Sequence, residues 1–195
     1  MRTFIALDVD DAIRERIARF MEGVQGFAPD ARWVRPESIH VTLKFIGEKP
    51  PEAAEKIKEH LQALRAPAFE LAFRGYGFFP TAKAPRVFWI GIDAGPALES
   101  LAGGIDDAMS SVGIPKEDHA FSPHLTLARG GRGSGAPAWR KGDQPNSQFR
   151  RLQEILGALP APVFGAMTAR GFFLYESQLL RGGAQYTKIA RFELA

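Results

Sequence analysis

One tetrad occurs twice in this chain. His-x-Thr-Leu stands at His40–Leu43 and again at His124–Leu127, 84 residues apart. Each copy follows the same order of elements: an apolar strand-like run, an amphipathic helix, then the tetrad. The first copy runs FIALDV, helix, HVTL, and the second VFWIGI, helix, HLTL. The spacing is too long for a solenoid repeat. It predicts an α+β chain with pseudo-twofold symmetry, a single two-lobed domain over 1–195. Two antiparallel sheets would face a central cleft with helices outside. Each tetrad would then line one wall of that cleft.

The periodicities fill in this outline. Residues 2–9 read as a buried strand, and Asp10 and Asp11 stand where a helix N-cap belongs. Ile13, Ile17, Phe20, Met21 and Val24 then recur at helical spacing. A short strand is expected at 32–35, and another over SIHVTLKFIG. A helix follows over 52–64 with Ala54, Ile57 and Leu61 inward. Strands are predicted at 68–79 (bulged at its glycines), 86–93 and 122–129, with a helix over 95–112. A short helix near 148–158 and two strands near 163–175 and 184–194 complete the reading, with Phe172–Tyr175 in a sheet interior. Residues 130–151, rich in Gly, Ser, Arg and Lys, are expected to be a flexible basic loop. Its Arg132, Arg140 and Lys141 would suit contact with an anionic partner and Trp139 stacking on a planar ring, although such tracts are more often simply flexible.

Composition narrows the chemistry. The chain has no cysteine, so disulfides, thiol catalysis and Cys-based zinc sites are excluded. No apolar run approaches the roughly 20 residues that cross a bilayer, and the opening segment does not read as a signal peptide. A cytoplasmic location and no membrane partner are therefore expected. The net charge of +3 suits an anionic partner without requiring one.

Strand geometry gives the duplicated tetrad its chemical meaning. Side chains at i and i+2 share a face, so His40 lies beside Thr42, and His124 beside Thr126. Val41, Leu43 and Phe45 on one strand, and Leu125 and Leu127 on the other, would point into the core. Two imidazoles on opposite sides of a phosphate can take a proton from water and give one to a leaving oxygen. Two hydroxyls and a cation can hold the non-bridging oxygens. Nothing in this set requires a metal or cofactor, and neither histidine has acidic neighbours at metal-ligating spacing.

At these residues the chain resembles the two-histidine phosphoesterase superfamily, and within it the RNA 2′,3′-cyclic phosphodiesterase family, also called the 2′-5′ RNA ligase family. The likeness is carried by RTFIALDV, RWVRPESIHVTLKFIGE, GYGFFP, PRVFWIGI, FSPHLTLAR and FFLYESQLLRGGAQYTKIARFEL, in that order. It implies His40 and His124 as the catalytic pair, with Thr42, Thr126 and Arg129 binding phosphate. It further implies that His124 activates water and that His40 protonates the 3′ oxygen, leaving a 2′-phosphate. On strict alternation Arg129 faces away from His124, so its role requires a bend at the strand end.

The other candidates are weighed against ordinary structural roles. His60 reads as solvated helix surface beside Lys58 and Glu59, and His119 as a loop residue near the cleft. Lys44 either lines the cleft or is solvated. Trp33, Phe79, Trp89 and Tyr186 are candidates to stack a base, although aromatics are more often core. The expected partner is RNA ending in a 2′,3′-cyclic phosphate, acted on by a monomer. The same residues leave open 2′-5′ ligation, a small cyclic nucleotide or 2′-5′ oligonucleotide as substrate, and a non-catalytic RNA-end-binding role.

Overall fold

The computed structural model describes residues 1–130 and 147–195. The elements run β1 (Arg2–Leu7), α1 (Asp11–Val24), β2 (Arg32–Trp33), β3 (Val41–Glu48), α2 (Ala53–Ala63), β4 (Phe69–Phe79) and β5 (Val87–Asp93). They continue with α3 (Gly95–Ser110), β6 (His124–Arg129), α4 (Arg150–Gly157), β7 (Val163–Ala169), β8 (Gly171–Leu180) and β9 (Gly183–Glu193). Strand pairing gives a four-stranded sheet ordered β3-β1-β8-β9 and a five-stranded sheet ordered β2-β6-β5-β4-β7, antiparallel throughout.

The two orders superimpose: β3 corresponds to β6, β1 to β5, β8 to β4 and β9 to β7. The expected pseudo-twofold α+β architecture is therefore present. Strands from the first half of the chain nevertheless sit in the second sheet. β2 pairs with β6, and β4 pairs with β5 and β7.

Helix faces follow the predicted spacing. Ile13, Ile17, Met21 and Val24 of α1 are buried, as are Ala54, Ile57 and Leu61 of α2 and Leu98, Leu101, Ile105 and Met109 of α3. All but Ala54 join Ile5, Leu7, Phe88, Ile90 and Leu125 in one core spanning both lobes. Each such side chain contributes about 1.5–3 kcal/mol by leaving water. Arg14 ties α1 to the approach to β3, donating to the carbonyls of Pro36 at 2.6 Å and Ile39 at 2.9 Å.

Three expectations need correction. Phe45 does not face the core; it is 67% exposed, whereas Lys44 is 3% exposed. The cause is an irregular register. Ile5 pairs with Lys44 but Ala6 pairs with Thr42, so Leu43 is an extra residue. A bulge reverses the alternation beyond it. Lys44 thereby turns beneath the sheet, where its Nζ meets Asp106 at 2.5 Å, the Pro115 carbonyl at 2.7 Å and Glu117 at 3.2 Å. Of the two readings from sequence it is not the solvated one; Lys44 is buried and is among the residues that line the hollow between the sheets.

At the C-terminal end there are three strands, not two, because the chain passes at Arg170 from one sheet to the other. The predicted loop over 130–151 also ends early, since Ser147–Phe149 is a 3-10 turn and α4 begins at Arg150. The rest of that loop, with Arg132, Trp139, Arg140 and Lys141, lies outside the described residues.

Candidate active site

His40 and His124 line one hollow of ≈ 590 Å³ between the sheets, together with Thr42, Thr126, Arg129 and Tyr186. All five residues singled out from sequence thus come together. The second tetrad contains the same bulge as the first. Thr126 pairs with Trp89 and Ala128 with Phe88, so Leu127 is the extra residue. Alternation reverses there, and Arg129 comes round to the cleft face without any further bend. The pairings match one for one across the pseudo-twofold axis: Thr42–Ala6 with Thr126–Trp89, and Lys44–Ile5 with Ala128–Phe88. By that correspondence Arg129 and Phe45 occupy equivalent cleft positions.

Both imidazoles are held in the same way. The Nδ1–H of His40 donates to the carbonyl of Ser38 at 3.0 Å, and that of His124 to the carbonyl of Ser122 at 2.7 Å. A carbonyl only accepts, so Nδ1 carries the hydrogen in each ring. Nε2 is left as the lone-pair nitrogen of the neutral form. Aromatic side chains brace the rings. Tyr175 lies 4.6 Å from His40 and Tyr186 5.6 Å, whereas Phe79 meets His124 edge-on at 5.0 Å and Trp89 stands at 6.2 Å. Phe4, Ala6, Phe173 and Tyr175 form a small apolar floor on this face of the first sheet.

The surroundings of the two histidines differ in charge. Burial lowers the His40 pKa, the Asp8 carboxylate pulls it back up, and Arg14 and Lys188 oppose that pull. Asp8 Oδ1 stands 3.7 Å from His40 Nε2. Its other oxygen is 2.5 Å from Lys188 Nζ, and the Tyr175 hydroxyl donates to Asp8 as well. Burial would raise the Asp8 pKa, but the bonds from Lys188 and Tyr175 outweigh it and hold the carboxyl below its ordinary range. His124 is also lowered by burial. The Ser122 carbonyl resists this, and the Arg129 cation lowers it further. Both imidazoles end below their ordinary pKa through burial; the difference is that His40 has a carboxylate beside it that pulls the other way, whereas His124 has only the Arg129 cation.

Sequence reasoning missed Asp8, Arg14, Tyr175, Lys188 and the two serine carbonyls. The Ser-x-His-x-Thr repeat, SIHVT and SPHLT, was the one visible signal for the carbonyl anchors. Of the stacking candidates, Trp33 belongs to the core, packed on Phe88 with its indole donating to the Ala28 carbonyl. Phe79 and Trp89 wall in His124, and Tyr186 borders the cleft. His119 is an exposed loop residue lining the hollow, and His60 is a helix residue with Nδ1 at its own Lys56 carbonyl. Among the described residues, no three His, Cys, Asp or Glu side chains come together as a metal-binding group. No described helix is long and apolar enough to cross a membrane.

The chain is similar to known proteins along nearly its whole length. A family model described as LigT like Phosphoesterase matches the chain twice, over residues 7–89 and 90–186. An RNA 2′,3′-cyclic phosphodiesterase of Archaeoglobus fulgidus is 32% identical over 193 residues, covering 99% of this chain and 100% of that protein. One from Methanocaldococcus jannaschii is 35% identical over 190 residues, covering 97% and 98%. Among solved structures, Escherichia coli LigT complexed with 3′-AMP aligns with a TM-score of 0.76 and 27% identity, covering 99% and 97% of the two chains. TT0787 of Thermus thermophilus aligns at 0.74 with 29% identity, covering 100% and 98%.

Proposed function

The chain belongs to the LigT-like phosphoesterase family, and on that premise we propose that it opens 2′,3′-cyclic phosphates at RNA ends to 2′-phosphates, with His124 as base and His40 as acid. One observation carries the reading: two imidazoles, each anchored through Nδ1 to a serine carbonyl, line one cleft that also holds Thr42, Thr126 and Arg129. Water, placed opposite the 3′ oxygen, gives a proton to His124 Nε2 as its oxygen bonds to phosphorus. The bond from phosphorus to the 3′ oxygen breaks, and that oxygen takes the proton from His40 Nε2. The hydroxyls of Thr42 and Thr126 and the Arg129 guanidinium hold the non-bridging oxygens, where charge accumulates.

The unequal charge around the two rings supports this division of roles, since the acid must start protonated and the base neutral. All of these groups come from one chain, so residues 1–195 act as one two-lobed unit and a monomer suffices. An RNA substrate is consistent with a cytoplasmic enzyme.

The test is hydrolysis of a short RNA ending in 2′,3′-cyclic phosphate, in EDTA, by wild type, His40→Ala and His124→Ala. We expect a 2′-phosphate product and a loss of about 10²–10⁴-fold in each variant. A variant turning over at the wild-type rate, or activity lost to chelation, would refute the mechanism.

A further inference from the structure

We propose that the basic hollow on the far side of His40 is the seat of the 5′-phosphate of the terminal nucleotide, the first backbone phosphate of the RNA chain. This rests on the reaction proposed above. The hollow, of ≈ 820 Å³, shares Ser38, His40 and Tyr186 with the catalytic cleft, so the two are continuous around the His40 ring. Four cationic side chains line it, Arg14, Arg35, Arg181 and Lys188, against the two carboxylates of Asp8 and Glu37.

Two of the cations are occupied. Arg14 is bound to the carbonyls of Pro36 and Ile39, and Lys188 is paired with Asp8, which neutralises that carboxylate. Arg35 and Arg181 are exposed, and among the described residues neither forms an ion pair. They approach from different segments, Arg35 from the link between β2 and β3, and Arg181 from the turn between β8 and β9.

The turn is shaped for this approach. Gly182 and Gly183 have φ of 115° and 121°, values that favour glycine. A Cβ on Gly183 would lie 2.8 Å from Arg35 Nη2. The guanidinium therefore rests directly on the turn that carries Arg181, where a larger residue would displace it.

Substrate stereochemistry supplies the direction. The leaving 3′ oxygen faces His40, because His40 protonates it. The ribose carbon bearing that oxygen leads through two further carbons to the 5′ oxygen and its phosphate. The chain consequently departs on the His40 side, toward Arg35 and Arg181. Planar guanidinia suit a phosphodiester, which offers two adjacent anionic oxygens.

The experiment compares a nucleoside 2′,3′-cyclic phosphate with the same compound carrying a 5′-phosphate, using wild type and the Arg35→Ala/Arg181→Ala double variant. In wild type the 5′-phosphate is expected to raise kcat/KM about tenfold, the scale of one charge-assisted hydrogen bond at a partly exposed site. The double variant should lose that preference and keep the wild-type rate on the unphosphorylated compound. On the phosphorylated one, the salt dependence of log kcat/KM should flatten by about 0.7, one single-strand phosphate contact. A wild type indifferent to the 5′-phosphate, or a variant that retains the preference, overturns the assignment. So does a variant that loses both substrates equally, because the arginines would then act on the catalytic centre. If wild type opens neither compound, the proposed reaction falls, and this site with it.

Discussion

Replacing Asp8 with asparagine should shift the pH dependence of the reaction in a stated direction. At 3.7 Å the Asp8 carboxylate and a protonated His40 attract by about 4 kcal/mol at an effective dielectric constant of about 20. That energy is an upper bound on the pull by which Asp8 raises the His40 pKa. Lys188, 2.5 Å from the second carboxylate oxygen, cancels most of this field, and partial exposure of Asp8 screens more of it. What remains is a small part of that pull, still upward for His40.

The sign follows directly. Asp8 favours the imidazolium, so Asp8→Asn lowers the His40 pKa, and the Lys188 cation left unpaired acts in the same direction. Arg14 and Tyr175 face the same pair and are unchanged. His40 must be protonated to act as acid, so the alkaline limb of kcat/KM should move to lower pH. On that limb the variant should be slower, with activity recovered in more acidic buffer. A uniform fall in rate with both limbs in place would refute the charge argument and leave Asp8 a packing role only.

Arg129→Ala should raise KM about tenfold through the lost phosphate contact and move the acid limb to higher pH, since its cation no longer depresses His124. Paired pH profiles would show the Asp8 and Arg129 variants shifting opposite limbs in opposite directions. Lys44→Met should destabilise the fold by about 3 kcal/mol in urea unfolding, because Asp106 and Glu117 lose their buried partner. That value is the low end for a broken buried pair, as Asp106 keeps some contact with water. Gly77→Ala should cost about 1–3 kcal/mol and reduce turnover, since its Cβ would lie 2.1 Å from the Trp89 ring that stands beside His124. A near-UV circular dichroism spectrum identical to wild type would contradict that account.

The tetrads pointed to the candidate cleft because a two-residue spacing survives locally in any strand. His40 and Thr42 lie before the bulge at Leu43, and His124 and Thr126 before the one at Leu127, so their shared face was legible. Beyond each bulge alternation failed, which is why Phe45 and Lys44 exchanged faces and Arg129 needed no extra bend. Nothing distinguishes a bulged leucine from a regular one in sequence. The Asp8–Tyr175–Lys188 group was illegible for another reason: its members come from the end of β1, from β8 and from β9, and only the sheet order brings them together. Lys44 is similar, since its partner Asp106 lies 62 residues away on α3. The passage from β7 to β8 was hidden because Arg170 alone separates the two strands, too short a link to read as a break.

The exchange of strands between halves bears on how the molecule is made. The two copies of the family pattern meet between Trp89 and Ile90, inside β5, so neither copy is a lobe. The first 89 residues supply β1 and β3 to one sheet, β2 and β4 to the other, and only the start of β5. Synthesis proceeds from the N-terminus, and β8 and β9 arrive last, bringing Tyr175 and Lys188 to the His40 wall. The His124 wall is complete once β7 has been made, whereas the His40 wall waits for β8 and β9, so the two sides of the cleft are finished at different points in synthesis.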